Sequence, residues 1–254
     1  MCSKSNRMQP LVSIIMPAYN SEDFIAEAIE TVRKQTYENW ELIIVDDQSS
    51  DITYQIIKDY SIEDTRIKQD QLEVNSGAAS ARNRAVELAK GTFIAFLDSD
   101  DLWRPNKLEL QINFMIENDY AFTSTDYDKI DDEGKSLNHT VKSFPKLDYD
   151  GLLRECPGNS TVIYNAEKLG KYKIPQIKKR NDYLMWLQVI KKSEHLYGLQ
   201  ETLSSHRIRE GSLSNNKITL VKYHWKIYRT IENLSVYKSV RLIIYWTLKK
   251  LLNR

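Results

Sequence analysis

The feature that most constrains this chain is a figure repeated along its first 120 residues. A short run of β-branched and aromatic residues breaks into a polar, acid-bearing segment, and a helical pattern follows. Leu11-Val-Ser-Ile-Ile-Met16 is ended by Pro17 and leads into Ala18-Tyr-Asn-Ser-Glu22. Trp40-Glu-Leu-Ile-Ile-Val45 runs into Asp46-Asp47-Gln-Ser-Ser-Asp51, and Thr92-Phe-Ile-Ala-Phe-Leu97 into Asp98-Ser-Asp-Asp101. Apolar runs this short, bounded by turn residues, read as strands buried on both faces. Between the first two, Ile25, Ala28, Ile29 and Val32 recur at helical spacing, with Asn20 or Ser21 as the N-cap. Ile52 to Tyr60 reads as a second helix and Ile67 to Leu72 as a weak strand. Gly77 to Ala89 reads as an alanine-rich helix with Ala81, Ala85, Leu88 and Ala89 on one face, stopped by Gly91. Pro105 opens a helix through Glu117. This alternation predicts an α/β fold: a doubly wound, mostly parallel sheet with helices on both faces.

Beyond Tyr120 the pattern loosens. Residues 120–130 and 160–164 read as strands. Asp182 to Lys192 reads as a helix with Leu184, Leu187 and Ile190 turned inward. Residues 217–254 read as one or two amphipathic helices. The expected organisation is an extension over 1–10, a main α/β domain over 11–216 and a basic helical tail over 217–254.

Charge separates that tail from the rest. Basic and acidic residues nearly cancel, 36 against 35, so net charge gives no reason to expect nucleic acid. The tail, however, carries nine Lys/Arg and only Glu232, which leaves the preceding 216 residues at −7. Its cations interleave with Tyr223, Trp225, Tyr228, Tyr237 and Trp246. That pattern suits either the face of an anionic membrane or packing on the domain with a solvated basic side. Two cysteines, Cys2 and Cys156, exclude a disulfide scaffold and a Cys-rich zinc site. Cys156 reads as a small buried residue. No apolar stretch before Leu11 suggests a signal peptide, and no run approaches the ~20 apolar residues of a membrane span. The expected location is the cytoplasm, at the inner membrane face if the tail binds lipid.

In an open α/β sheet, ligands bind outside the carboxyl ends of the strands. The three acid-bearing segments therefore line several carboxylates along one edge. Crowded carboxylates raise one another's pKa unless a cation sits among them. Mg²⁺ or Mn²⁺ with oxygen ligands is the simplest such cation, and it suits a substrate that brings phosphates. Each cluster alone could merely cap a helix; their conjunction at successive strand ends carries the reading. There is no Gly-x-Gly-x-x-Gly after the first strand, no Walker Gly-Lys-Ser/Thr, no His-Glu-x-x-His and no Gly-x-Ser-x-Gly. Dinucleotide oxidoreductases, P-loop NTPases, zincins and α/β-hydrolases all lose ground.

Several of these segments, in order, resemble glycosyltransferase family 2. They are Val12-Ser-Ile-Ile-Met-Pro-Ala-Tyr-Asn20, Gln35-Thr-Tyr37 and Trp40 through Asp51, Asn75-Ser-Gly-Ala-Ala-Ser-Ala-Arg-Asn83, Phe96-Leu-Asp-Ser-Asp-Asp-Leu-Trp103, Lys179-Arg-Asn-Asp-Tyr-Leu-Met-Trp-Leu187 and His206-Arg-Ile-Arg-Glu-Gly-Ser-Leu-Ser214. The resemblance spans about residues 10 to 215. It departs from the commoner Glu-Asp at Asn181-Asp182, where the aspartate is kept. It implies a GT-A fold, a nucleotide-diphosphate sugar donor such as a UDP-sugar, a divalent metal and inversion at the anomeric carbon. Pro17, Tyr19 and Asp47 match positions that hold nucleobase and ribose, with Asp46 an adjacent candidate. Asp98 and Asp100 match the Asp-x-Asp motif, Asp100 toward the metal and Asp98 toward the ribose or metal-bound water. Asp182 matches the general base. Arg82 is a candidate helper at the diphosphate, or else a helix-surface arginine. His206 and Arg207, in the resemblance a closing loop, are candidates to cover the diphosphate. Trp186 and Trp103 are candidates for the acceptor side, or else core. The implied acceptor is a glycan on a polyprenyl-diphosphate lipid, in capsule, O-antigen or teichuronic-acid-like polymer assembly. The rivals are a nucleotidyltransferase, which lacks its phosphate loop here, and a non-catalytic nucleotide-sugar-binding module.

Overall fold

The structure is a computed structural model, and it describes residues 9–175, 177, 179–209 and 217–252. The first elements alternate as expected: β1 (Val12–Ala18), α1 (Ile25–Arg33), β2 (Trp40–Asp46), α2 (Thr53–Glu63), β3 (Ile67–Gln71), α3 (Ala78–Leu88) and β4 (Phe93–Phe96). Then follow β5 (Leu102–Trp103), α4 (Lys107–Glu117), β6 (Phe122–Ile130), β7 (Ser136–Val141), β8 (Lys146–Leu147), α5 (Tyr149–Arg154), β9 (Ile163–Asn165), α6 (Ala166–Leu169), α7 (Asn181–Ser193) and β10 (Leu196–Arg207). The tail forms α8 (Lys217–Lys226), a π-helical turn over Ile227–Ile231 and α9 (Val236–Leu252).

One ten-stranded sheet runs in the order β3-β2-β1-β4-β9-β6-β10-β5, with β7 on β6 and β8 on β10. The β3-β2-β1-β4 half is parallel throughout. β9 is antiparallel to both of its neighbours, while β6 and β10 are parallel to each other. Alternate residues of the central strands feed two apolar layers. Ile15, Ile43 and Phe96 pack with α3 and α7 on one face; Ile14, Met16 and Leu42 pack with α1 and α4 on the other. Every residue of β1, β2 and β4 is buried, which explains why they read as continuous apolar runs.

Several local expectations are corrected. β1 continues through Pro17 to Ala18. Pairing to β4 stops at Ile15, so the missing Pro17 N–H falls where no ladder bond is required. Neither Asn20 nor Ser21 caps α1 with its side chain; the Ser21 carbonyl accepts from Ile25 N at 2.9 Å. Gly91 does not end α3, which closes at Ala89 in an extended conformation. Its role is close approach: a Cβ there would stand 2.5 Å from Ser13 N and 2.7 Å from Leu11 O. β10, at 12 residues the longest strand described, was not expected, because Leu196-Tyr-Gly-Leu-Gln-Glu-Thr-Leu-Ser-Ser-His-Arg207 carries no apolar run.

The tail packs on the domain. Ile227 and Tyr228 are wholly buried, and Tyr228 Oη donates to the Leu153 carbonyl at 2.8 Å. Trp246 lies under Arg180, the guanidinium 4.9 Å from its ring centroid. Val236, Tyr237, Val240, Ile244 and Leu248 remain exposed along α9. Among the described residues no helix is long and apolar enough to cross a membrane.

Candidate active site

The loops after β1, β2 and β4 meet at the carboxyl edge of the parallel half-sheet. Asn20, in the left-handed region at φ 45°, accepts from Ser50 N at 2.9 Å and donates its own N–H to Ser49 Oγ at 2.9 Å. Ser21 Oγ meets Ser99 Oγ at 2.8 Å. The residues expected to cap α1 therefore stitch the three loops together.

Asp46 and Asp47 are both buried, and the chain itself supplies donors to each of their carboxylate oxygens. Asp46 accepts from Ser49 N at 2.9 Å, Ser49 Oγ at 2.5 Å and Gln71 Nε2 at 2.9 Å. Asp47 accepts the Ser76 and Gly77 amides, both at 2.8 Å, and so pins the loop entering α3. Gly77 turns that loop at φ 88°, a conformation that costs other residues free energy. Pro17 is buried within β1, while Tyr19 stands 49% exposed beside it. Of Pro17, Tyr19, Asp46 and Asp47, the residues expected at the base and ribose, only Tyr19 is not buried.

The acidic run after β4 is built differently. Asp98 Oδ1 accepts from Arg82 at 2.6 Å and from Asn159 Nδ2 at 2.9 Å. Asp100 Oδ2 pairs with Arg209 at 2.8 Å. Asp101, fully enclosed, accepts from Ser160 Oγ at 2.5 Å, the Arg207 amide at 3.1 Å and the His206 ring at 3.2 Å. Burial pushes the Asp100 carboxyl up to about 6, with the charges of Asp101 and Asp98 adding to it against Arg209 and His206. Burial acts the same way on Asp101, but His206 and the hydrogen bonds outweigh it and hold that carboxyl below its ordinary value. The Asp101 charge in turn lifts His206 to about 9, so the ring is a cation at neutral pH.

Arg82 joins this run to α7. It is 8% exposed, and its two terminal nitrogens reach Asp98 Oδ1 and, at 3.0 Å, Asn181 Oδ1. Burial opposes its charge; Asp98 and then Asp182 overcome that and raise its pKa. A buried arginine thus holds the first turn of α7, where Asp182 sits, against the Asp98 loop. The surface-arginine alternative falls on that burial. Asp182 occupies the second position of α7, and the N-cap is Arg180 in the left-handed region at φ 64°.

Other expectations change with the geometry. His206 and Arg207 end strand β10 rather than lying in a loop. The Arg207 guanidinium donates to the carbonyls of Asp100, Asp131 and Asp132 and to Glu27 Oε2, and its side chain is 1% exposed. It shapes the Asp100 backbone and has no face for a diphosphate. Trp186 is wholly buried, edge-on to Phe96 at 5.0 Å, so it is core and offers nothing to an acceptor; Trp103, 3% exposed, is core as well. The segment 210–214 of the expected closing motif lies outside the described residues. Asp101, Asn159, Asn181 and Arg209 were missed. Asp101, Asn181 and Arg209 each lay inside a segment that carries the family resemblance, but their roles, like that of Asn159, come from partners distant in sequence.

The donor set at Asp98 and Asp100 is oxygen alone, which suits a hard divalent cation. Among the described residues no group of three His, Cys, Asp or Glu forms a ready cage. Two carboxylates leave coordination to be completed by a phosphate-bearing substrate and water. Burial first, and then the charges of Asp101 and Asp98, disfavour a bare charge on Asp100; a bound cation would offset both, so the residues present fit one.

Known proteins of similar sequence and fold name the family. The sequence model of glycosyl transferase family 2 matches residues 13–174. TuaG of Bacillus subtilis (strain 168), named for a glycosyltransferase role in teichuronic acid biosynthesis, is 41% identical over 232 residues, 91% of this chain and 92% of its own length. WfgD of Escherichia coli, a UDP-Glc:α-D-GlcNAc-diphosphoundecaprenol β-1,3-glucosyltransferase, is 40% identical over 222 residues, 85% of each chain. Staphylococcus aureus TarS, solved with UDP-GlcNAc, superposes with a TM-score of 0.74 at 22% identity over 94% of this chain and 72% of that one, a likeness of fold. The nucleotidyltransferase and binding-module alternatives lose their ground to this match. The chain belongs to glycosyl transferase family 2 and is a glycosyltransferase of GT-A fold.

Proposed function

We propose that this enzyme transfers a sugar, with inversion, from a UDP-sugar to a hydroxyl of a lipid-diphosphate-linked glycan in surface-polysaccharide assembly. The observation that carries the reading is the Arg82 bridge, which holds Asp98 and the Asp182 turn of α7 around one charged centre. The names of WfgD and TuaG support the donor, the lipid-linked acceptor and the polymer class.

On this reading the Tyr19 ring stacks on the base, while Asp46 and Asp47 keep the loops around it in shape. Asp98 and Asp100 would hold Mn²⁺ or Mg²⁺, which supplies Lewis-acid stabilisation of the diphosphate when bound. Arg82, Arg209 and protonated His206 add positive charge on the same side, where negative charge grows as the leaving group departs. Asp182 takes the acceptor hydroxyl proton as that oxygen attacks the opposite face of the anomeric carbon. A single displacement turns an α-linked donor into a β-linked product.

The exposed apolar residues of α9, with Arg241 and Lys238 among them, would place the enzyme on the anionic membrane face that presents such an acceptor. Two of the tail cations already have acidic partners on the domain, Lys238 with Asp150 and Lys249 with Glu155, so packing and docking share the helix. The deciding experiment is a screen of UDP-sugars against lipid-diphosphate sugars, read as released UDP with Mn²⁺ and with chelator. Absence of UDP release with every pair rejects the reading. Co-sedimentation with anionic vesicles tests the tail, and a full-length chain that stays in the supernatant at low salt rejects docking.

A further inference from the structure

A cleft of about 560 Å³ lies between the β6–β7 hairpin and residues 155–158, with Lys249 of α9 at its rim. No step of the transfer described above uses it. Thr125 and Tyr127 share one face of β6, Val141 of β7 stands opposite Tyr127, and all three line the cleft together with Phe144. Its cations are already matched: Lys142 pairs with Asp126 at 2.8 Å, and Lys249 pairs with Glu155. What the cleft offers a ligand is therefore neutral hydrogen bonding and ring faces rather than net charge. Thr125 sharpens this, since it is 2% exposed and its Oγ1 has no partner among the described residues. A buried hydroxyl left unmatched costs free energy that a ligand can recover.

The cleft shares a wall with the charged centre. Gly158 lines it, and the next residue, Asn159, donates to Asp98. Tyr127 lines it and meets the ring of His206 edge-on at 5.9 Å, and His206 is paired with Asp101. Cys156 lines it too; burial pushes that thiol up to about 12, and the charge of Asp182 adds to the shift. The cleft is therefore joined to Asp98 through the Gly158–Asn159 segment.

We propose that this cleft is a saccharide subsite that seats the sugar units of the acceptor, recognised through hydroxyls and ring faces. Carbohydrates present both polar edges and apolar faces, the combination lined up here. A diphosphate would require unpaired cations or converging amides. The proposal rests on the glycosyl-transfer reading for the word acceptor, and on the cleft alone for the word saccharide. The tail then has a second role, closing the acceptor side through Lys249.

The test uses the full-length chain saturated with UDP and a panel of methyl glycosides and disaccharides of neutral and N-acetylated hexoses, read by saturation-transfer NMR. Thr125→Val removes a hydroxyl that has no internal partner, so the melting temperature should hold or rise. Affinity for the responding saccharide should fall roughly 3- to 10-fold, the worth of one neutral hydrogen bond. Val141→Trp, at the β7 position opposite Tyr127, should fill the cleft and abolish saccharide binding. UDP affinity by calorimetry should be unchanged in both variants. The proposal is overturned if no saccharide binds the wild type, if both variants bind it equally well, or if inorganic pyrophosphate displaces it from the cleft. Failure of UDP to bind the wild type would instead count against the glycosyl-transfer reading, and saccharide binding would still decide the cleft.

Discussion

The acidic pair after β2 and the acidic run after β4 look alike in sequence and behave as opposites in the fold. Asp46 and Asp47 are answered by neutral donors: amides, a serine hydroxyl and a glutamine. Asp98, Asp100 and Asp101 are answered chiefly by cations, Arg82, Arg209 and His206. Neutral donors saturate a carboxylate and fix a loop. Cations gathered around crowded carboxylates leave a site whose balance changes when a charged ligand arrives. Strand-end acids thus serve two purposes, and the partner type separates them.

The sharpest way to sharpen this comparison is at the element that Arg82 draws to the charged run. Asp182→Asn should leave UDP-sugar affinity nearly unchanged and lower turnover on the order of 10²–10⁴-fold, the usual worth of a general base. Near-wild-type transfer would remove Asp182 from the chemistry and reduce the bridge to a packing device.

Next in size, Asp100→Ala should weaken divalent-dependent UDP binding by at least roughly 10-fold, since even partners outside a metal's direct ligands cost 10–100-fold when lost. Titration of UDP with Mn²⁺ and with chelator reads it. Equal wild-type affinity in both conditions would show that the run manages its charge through Arg82, Arg209 and His206 alone.

Lys107 extends the same rule to the opposite sign. It is wholly buried, and among the described residues its partners are neutral, Gln111 Oε1 at 2.5 Å and the Thr161 carbonyl at 3.5 Å. Burial lowers its pKa from 10.5 to about 7. Above pH 7 the folded chain has lost that proton, while the unfolded chain keeps it until about 10.5. The unfolded state then binds more protons, so this lysine makes stability rise with pH between those values, by up to about 1.4 kcal/mol per pH unit. Denaturant midpoints of wild type and Lys107→Met across pH 7 to 10 should converge as pH rises. Parallel curves would show that the amine stays charged inside.

The smallest effect belongs to the neutral-donor pair. Asp47→Asn should cost about 1–3 kcal/mol by leaving one of the Ser76 and Gly77 amides without an acceptor, and about 2–4 °C in Tm per kcal/mol for a chain of this size. Turnover measured well below the transition should change little. A variant of unchanged Tm that no longer binds UDP would break the comparison, making Asp47 a ligand contact like the acids it was set against.

The parallel half of the sheet was readable because β1, β2 and β4 are buried on both faces, so continuous apolar runs mark them without reference to any partner. β10 was not, because it packs with alternating and polar residues, and nothing local to Gln200-Glu-Thr202 distinguishes a strand from a loop. Trp186 shows the converse limit. Its type allowed a sugar platform although core was the default reading, and its enclosure against Phe96 decides for the core.

Sequence alone determined the element alternation, the strand-end acids and the family they resemble, because these depend on local periodicity and on residue types at short spacing. Tertiary structure alone decided which acids are paired with cations, why Gly91 must lack a side chain, and that Arg82, Asn159 and Arg209 converge on Asp98 and Asp100. Those facts depend on contacts between residues up to about a hundred positions apart, as in the Arg82–Asn181 bond. A buried charge has no local signature, since its free energy is set by what the rest of the chain brings within hydrogen-bonding distance.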